Sequence, residues 1–150
     1  MRRISVLLSV VLTLAVVAWA QEDKKKEEKI KEPEKVKTLH EAMEGIGKQS
    51  ESIGTAIRKK SYDNMEKDAR KMLKYIDKAI GFEPPGGVKG DEQTKEYREL
   101  QKKLKVAITK AADEAKDKDF KAARKSMRTA SKVCGTCHNK YRPEEEDLDK

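Results

Sequence analysis

The chain is short of the residues that most often announce a structural plan. Its 150 residues include one tryptophan, two phenylalanines, four tyrosines, two cysteines and two histidines. The cysteines, Cys134 and Cys137, stand three positions apart. A bond between them would close only a tiny loop and constrain little of the unfolded chain, which excludes a disulfide-stapled scaffold. The period-two alternation that strands require is missing, so no sheet is expected. Charge of one sign is not segregated either: 35 Lys and Arg are interleaved with 27 Asp and Glu along helical faces. Without a basic patch carrying aromatics, nucleic-acid binding is not expected, and the net charge of +8 can at most steer an acidic protein partner. No nucleophile-base pair or carboxylate dyad stands out, so no enzyme is expected.

Long apolar runs are confined to the first twenty residues. Arg2 and Arg3 precede an uncharged stretch over residues 4–17, followed by Ala18, Trp19 and Ala20 and then a charged segment. That is the layout of a secretory signal peptide cleaved after Ala20. An uncleaved anchor is the competing reading, since a span needs roughly 20 apolar residues. The small-x-small ending favours cleavage, and with it export to the periplasm and no stable membrane insertion afterwards. No cysteine follows Ala20, so a lipid anchor is not indicated. Cleavage lowers the net charge from +8 to +6, because Arg2 and Arg3 are the only charged side chains removed.

Residues 21–35, QEDKKKEEKIKEPEK, are almost wholly charged and read as a disordered leader. From residue 36 the apolar positions keep time. They fall at Val36, Leu39, Met43, Ile46, Ile53 and Ile57 with a polar lapse at Ser50, then at Tyr62, Met65, Ala69, Met72, Ile76 and Ala79. A third run has Tyr97, Leu100, Leu104, Ala107 and Ala111, and a fourth has Phe120, Ala123, Met127, Ala130, Cys134, Cys137 and Tyr141. Alternating steps of three and four belong to helices packed at a shallow angle. Breaks are expected near 58–61 and 115–119, and Pro84 and Pro85 with Gly86 and Gly87 mark a longer loop over 81–90. The expected fold is all-α, an antiparallel four-helix bundle over residues 36–142, with an acidic tail at 143–150. So many alanines on the seam either draw helices together or leave room for a ligand. A ligand would explain how so thin a core is stable.

The chemistry gathers in CGTCHNKYR, residues 134–142. At about 100° per residue, Cys134, Cys137 and His138 share one arc of a helix and can address a single object. A redox dithiol needs its Cys-x-x-Cys at a helix N-terminus in a β-α-β setting. Here the pair falls in the last turns of a predicted helix. Structural zinc needs four ligands, and the only fourth is His40, on another helix. Covalent haem uses all three residues: the thiols add across the two vinyl groups, and the histidine after the second cysteine lies under the iron.

The motif at the end of a last helix resembles that of the class II c-type cytochromes, the cytochrome c-prime family, whose attachment sequence is CxxCHxxYR. The resemblance extends upstream through AADEAKDKDFKAARKSMRTASKV and more weakly to the first helix, about 105 residues in all. It implies one haem c held by Cys134 and Cys137, with His138 as proximal ligand and Arg142 near the propionates. It also implies redox partner proteins, and it allows a homodimer, since bundles of this class often pair through their first two helices.

The other face of the iron is expected from the first helix, where His40 and Met43 share a side. Position alone leaves both open. MEGIGKQSESI, residues 43–53, resembles the first-helix segment of the low-spin, Met-ligated members, in which Met is followed by Gly, Lys and Ile at the places of Gly47, Lys48 and Ile53. Leu39 stands where that family usually has Arg, which removes one expected propionate partner. By this resemblance Met43 is the distal ligand, with His40 the alternative, and the protein is a single-electron carrier. The alternative function is a five-coordinate haem protein that binds nitric oxide or carbon monoxide.

Overall fold

A computed structural model of the protein describes residues 36–86 and 88–142. The expected signal peptide at 1–20, charged leader at 21–35 and acidic tail at 143–150 lie outside the described residues. Four helices carry the chain: α1 (Leu39–Lys59), α2 (Tyr62–Gly81), α3 (Gly90–Lys116) and α4 (Phe120–Tyr141). Among the described residues there is no strand.

The helix ends follow local chemistry. The sequence places the first helix from residue 36, but it starts at Leu39 because Thr38 and Glu41 form a capping box. The Thr38 hydroxyl accepts from the Glu41 amide while the Glu41 carboxylate accepts from the Thr38 amide, so two otherwise unpaired donors are satisfied. Val36 lies before the helix and still packs against the core. Lys60, in the left-handed region at φ 53°, ends α1 and returns its amide to Ala56 and Ile57. Past Gly81 the two prolines prevent any continuation. Asp119 opens α4 by accepting from the Ala122 amide at 3.0 Å.

Neighbours run antiparallel, as cross-helix pairs show. Ser52 on α1 hydrogen-bonds Asp68 on α2. Between α2 and α3 the pairs are Ile80 with Arg98, Asp77 with Lys105 and Arg70 with Asp113, falling on one helix as they rise on the other. Between α3 and α4 they are Glu96 with Tyr141 and Glu114 with Ser126. The start of α1, the end of α2, the start of α3 and the end of α4 therefore share one end of the bundle. At the opposite end Tyr62 meets Phe120 edge-on, ring centroids 5.7 Å apart.

The main core draws on all four helices. Ile53, Met65, Met72, Ile76 and Ile108 are among its largest buried side chains, with alanines filling the space between. The polar lapse in the first stripe is resolved by rotation: Gln49 is buried, and Ser50 is exposed. Consecutive helices pack closely, whereas the backbones of α1 and α4 stand further apart. A cleft of about 180 Å³ lies along that flank, lined by Ser50, Gly54 and Ile57 of α1 and by Arg124, Met127 and Ser131 of α4.

Candidate functional site

The last turns of α4 carry Cys134, Cys137 and His138. Cys137 is half-buried against a small cluster formed by Tyr97, Leu100 and Tyr141, which Val88 and Val133 also join. Cys134 is half-buried as well, and His138 is exposed. The His138 carbonyl accepts from the Arg142 amide at 3.1 Å, which closes the helix. Arg142 itself is exposed, at the cap.

Burial pushes both thiols above their usual range, and for Cys137 the neighbouring Cys134 adds to the effect. The end of a helix also disfavours negative charge. Neither thiol therefore has the lowered pKa of a redox-active thiolate. Among the described residues, no three His, Cys, Asp or Glu come together as a group.

Several contacts that the sequence did not advertise hold this end together. The Tyr141 hydroxyl donates to Glu96 at 2.7 Å, and Lys140 donates to the same carboxylate at 2.6 Å. The rings of Tyr97 and Tyr141 meet edge-on at 5.6 Å, which anchors α4 to α3 beside Cys137. Arg98 donates to the carbonyls of Ile80 and Phe82 at 2.7 and 2.8 Å, and Gln101 to that of Ala79 at 3.2 Å. The Ile80 carbonyl is one of the last-turn acceptors of α2, and that of Ala79 also accepts from the Phe82 amide at 3.3 Å. The only signal in the sequence is that Arg98 and Gln101 lie three apart and so share a helix face.

The first helix brings Met43 and His40 to the same end. Met43 is half-buried and packs against the main core. His40 turns outward, its side chain 71% exposed and 3.5 Å from Glu44. Of the two distal candidates, Met43 is thus the one directed inward.

One atom at this end is anomalous. The Tyr97 hydroxyl is buried and has no hydrogen-bond partner. Its pKa is pushed up to about 12, first by burial and then by Cys137, so it stays a protonated donor close to that sulfur. No family model, characterised protein or solved structure matches the chain.

Proposed function

We propose that the protein is an exported, periplasmic c-type cytochrome of the cytochrome c-prime kind that carries single electrons between redox partner proteins. One haem c is held by thioether bonds to Cys134 and Cys137, with His138 as the proximal iron ligand, Met43 as the distal one and Arg142 near the propionates. When bound, the haem supplies a one-electron change at iron, and a methionine ligand raises its reduction potential.

The observation that carries this proposal is the position of CGTCH in the last turns of α4, at the end of the bundle where α1 turns Met43 inward. The raised thiol pKa values argue against the dithiol alternative. Of the two distal candidates, the one packed against the core is Met43, which favours it over His40; exposure by itself does not decide, since His138 is exposed too. The helices supply a rigid frame, and the chain's own residues bind, orient and shield. No helix among the described residues is long and apolar enough to cross a membrane.

The test is production of the full chain in a host that attaches haem. Haem that stays with the polypeptide after denaturation is expected, together with low-spin ferric iron by electron paramagnetic resonance. A colourless protein with two free thiols would overturn the cytochrome proposal. A high-spin ferric signal would remove Met43 from the iron and favour a five-coordinate protein that binds nitric oxide or carbon monoxide.

A further inference from the structure

The even mixing of charge along the chain does not hold helix by helix. Over Phe120–Tyr141, α4 carries six Lys and Arg and no Asp or Glu. Among the described residues, Lys140 is the only one of the six in an ion pair, with Glu96. In α3 no acid stands between Glu99 and Asp113. The two acid-free stretches lie side by side, because α3 and α4 pack against each other.

A groove of about 720 Å³ runs between them. Lys103, Lys110 and Lys125 line it around Val106, the only large apolar side chain exposed among the described residues. Its two acids stand at the ends and are already engaged: Glu99 holds Lys102 at 3.0 Å, and Glu114 accepts from the Ser126 hydroxyl at 2.6 Å. Lys103 and Lys125 make no ion pair among the described residues, and Lys110 is 69% exposed, its nitrogen 3.8 Å from Glu114. A single exposed valine is ordinary on a protein surface. Set in a groove and ringed by ammonium groups, it becomes an apolar centre with a charged rim, which is the plan of a protein–protein contact.

We infer that the α3–α4 groove is the docking surface for an acidic protein partner, whose carboxylates meet Lys103, Lys110 and Lys125 while an apolar side chain covers Val106. The inference rests on the electron-carrier proposal in taking that partner to be a redox protein. The groove extends to Val133, which directly precedes Cys134 and packs in the cluster that Cys137 joins. A partner seated there lies beside the attachment segment. Attraction between opposite charges speeds the encounter, and the rim charges set the orientation. A bilayer fits less well, because a concave groove with one exposed apolar side chain offers little to insert. A nucleic acid fits less well too, since no aromatic lines the groove and Glu99 and Glu114 close its ends against phosphates.

The probe is an acidic flavodoxin, titrated into the full chain labelled with nitrogen-15. At low salt the amide shifts are expected to gather at Lys103, Val106, Lys110 and Lys125, and binding should weaken about tenfold or more at ~0.2 M salt. Lys103→Glu with Lys125→Glu should also weaken it about tenfold or more, whereas the same charge change at exposed Lys67 and Lys78 of α2 should cost no more than about threefold. Lys103→Gln with Lys125→Gln should weaken it by a smaller factor than the reversal, and that loss decides if the reversed variant does not fold. Absence of salt-sensitive binding, shifts gathered away from the groove, or equal losses in the α2 control would overturn the inference. So would tighter, equally lysine-dependent binding to phosphatidylglycerol vesicles or single-stranded DNA, or a homodimer that the Lys103 and Lys125 reversals split. Groove shifts produced in the free chain by removing residues 143–150 would instead give the groove to the chain's own acidic end, and would also overturn it. The titration does not depend on haem. A colourless protein that still binds flavodoxin in the groove removes the electron-carrier proposal and keeps the docking surface; a haem-loaded protein that fails the titration does the reverse.

Discussion

The Tyr141 hydroxyl reaches Oε2 of Glu96 at 2.7 Å across 45 residues of sequence. Lys140, one position earlier, grips the same carboxylate. The pair binds the final turn of α4, and with it the segment that carries Cys137 and His138, to the start of α3. An exposed ion pair alone contributes little. Here the edge-on packing of the Tyr97 and Tyr141 rings makes the geometry specific.

The Lys140 hydrogen bond, and next that from Tyr141, hold the Glu96 carboxyl below its ordinary value of 4.5. A lowered folded-state pKa stabilises above the unfolded value and is lost as pH falls through the folded one. Glu96→Gln should therefore lower the melting temperature near neutral pH, and the gap should close as the pH falls from 4.5 through the lowered folded-state value. A gap that persists undiminished into acid would assign the effect to packing instead. Melting curves followed by circular dichroism from pH 3 to 8 provide the check.

Gly45 and Gly47 share α1 and should respond with opposite signs. A Cβ on Gly45 would land on the Tyr75 ring, whereas one on Gly47 meets nothing within 4 Å. Gly45→Ala should cost about 1–3 kcal/mol, the usual penalty of overpacking. Gly47→Ala should add about 0.5–1 kcal/mol, because alanine loses less backbone freedom in a helix. Chemical denaturation midpoints of the two variants would show the contrast.

Ile108 is wholly buried in the four-helix core, and Val106, two residues away, is 68% exposed. Truncating Ile108 to Ala should lower stability by about 2–5 kcal/mol, the range for a cavity in a core that cannot fully collapse. Val106→Thr should stay within about 0.5 kcal/mol of the wild type. Equal losses in a urea titration would mean that the face assignment of α3 is wrong.

Under the proposed haem ligation, the two first-helix candidates predict opposite outcomes. Replacing the inward Met43 with Ala should convert low-spin iron to a form that binds carbon monoxide readily, and His40→Ala should leave the absorption spectrum as it was. The reverse pattern would give the ligand role to His40. Optical titration with carbon monoxide reads both.

Much of the fold was legible because it depends on local chemistry. Stripes at steps of three and four report which side of each helix is apolar, whatever the neighbours are. The buried residues of α2, from Met65 through Ala79, are the predicted ones. The boundary at Pro84 and Pro85 follows from a missing amide and a fixed φ. The first stripe was less clear. Ser50 seemed to interrupt it because a one-residue rotation of α1, which buries Gln49 instead, depends on what α1 packs against.

The sequence by itself determined four amphipathic helices, their order and breaks, and the shared arc of Cys134, Cys137 and His138 on the last of them. Only the tertiary structure decided that Met43 turns inward and His40 outward, that Glu96 captures the end of α4, and that Tyr97 is left with an unpaired donor beside Cys137. The physical reason is range. Helix formation and face are set by residues three and four apart, whereas these contacts join side chains roughly forty residues or more apart, or depend on how each helix is rotated against its neighbours.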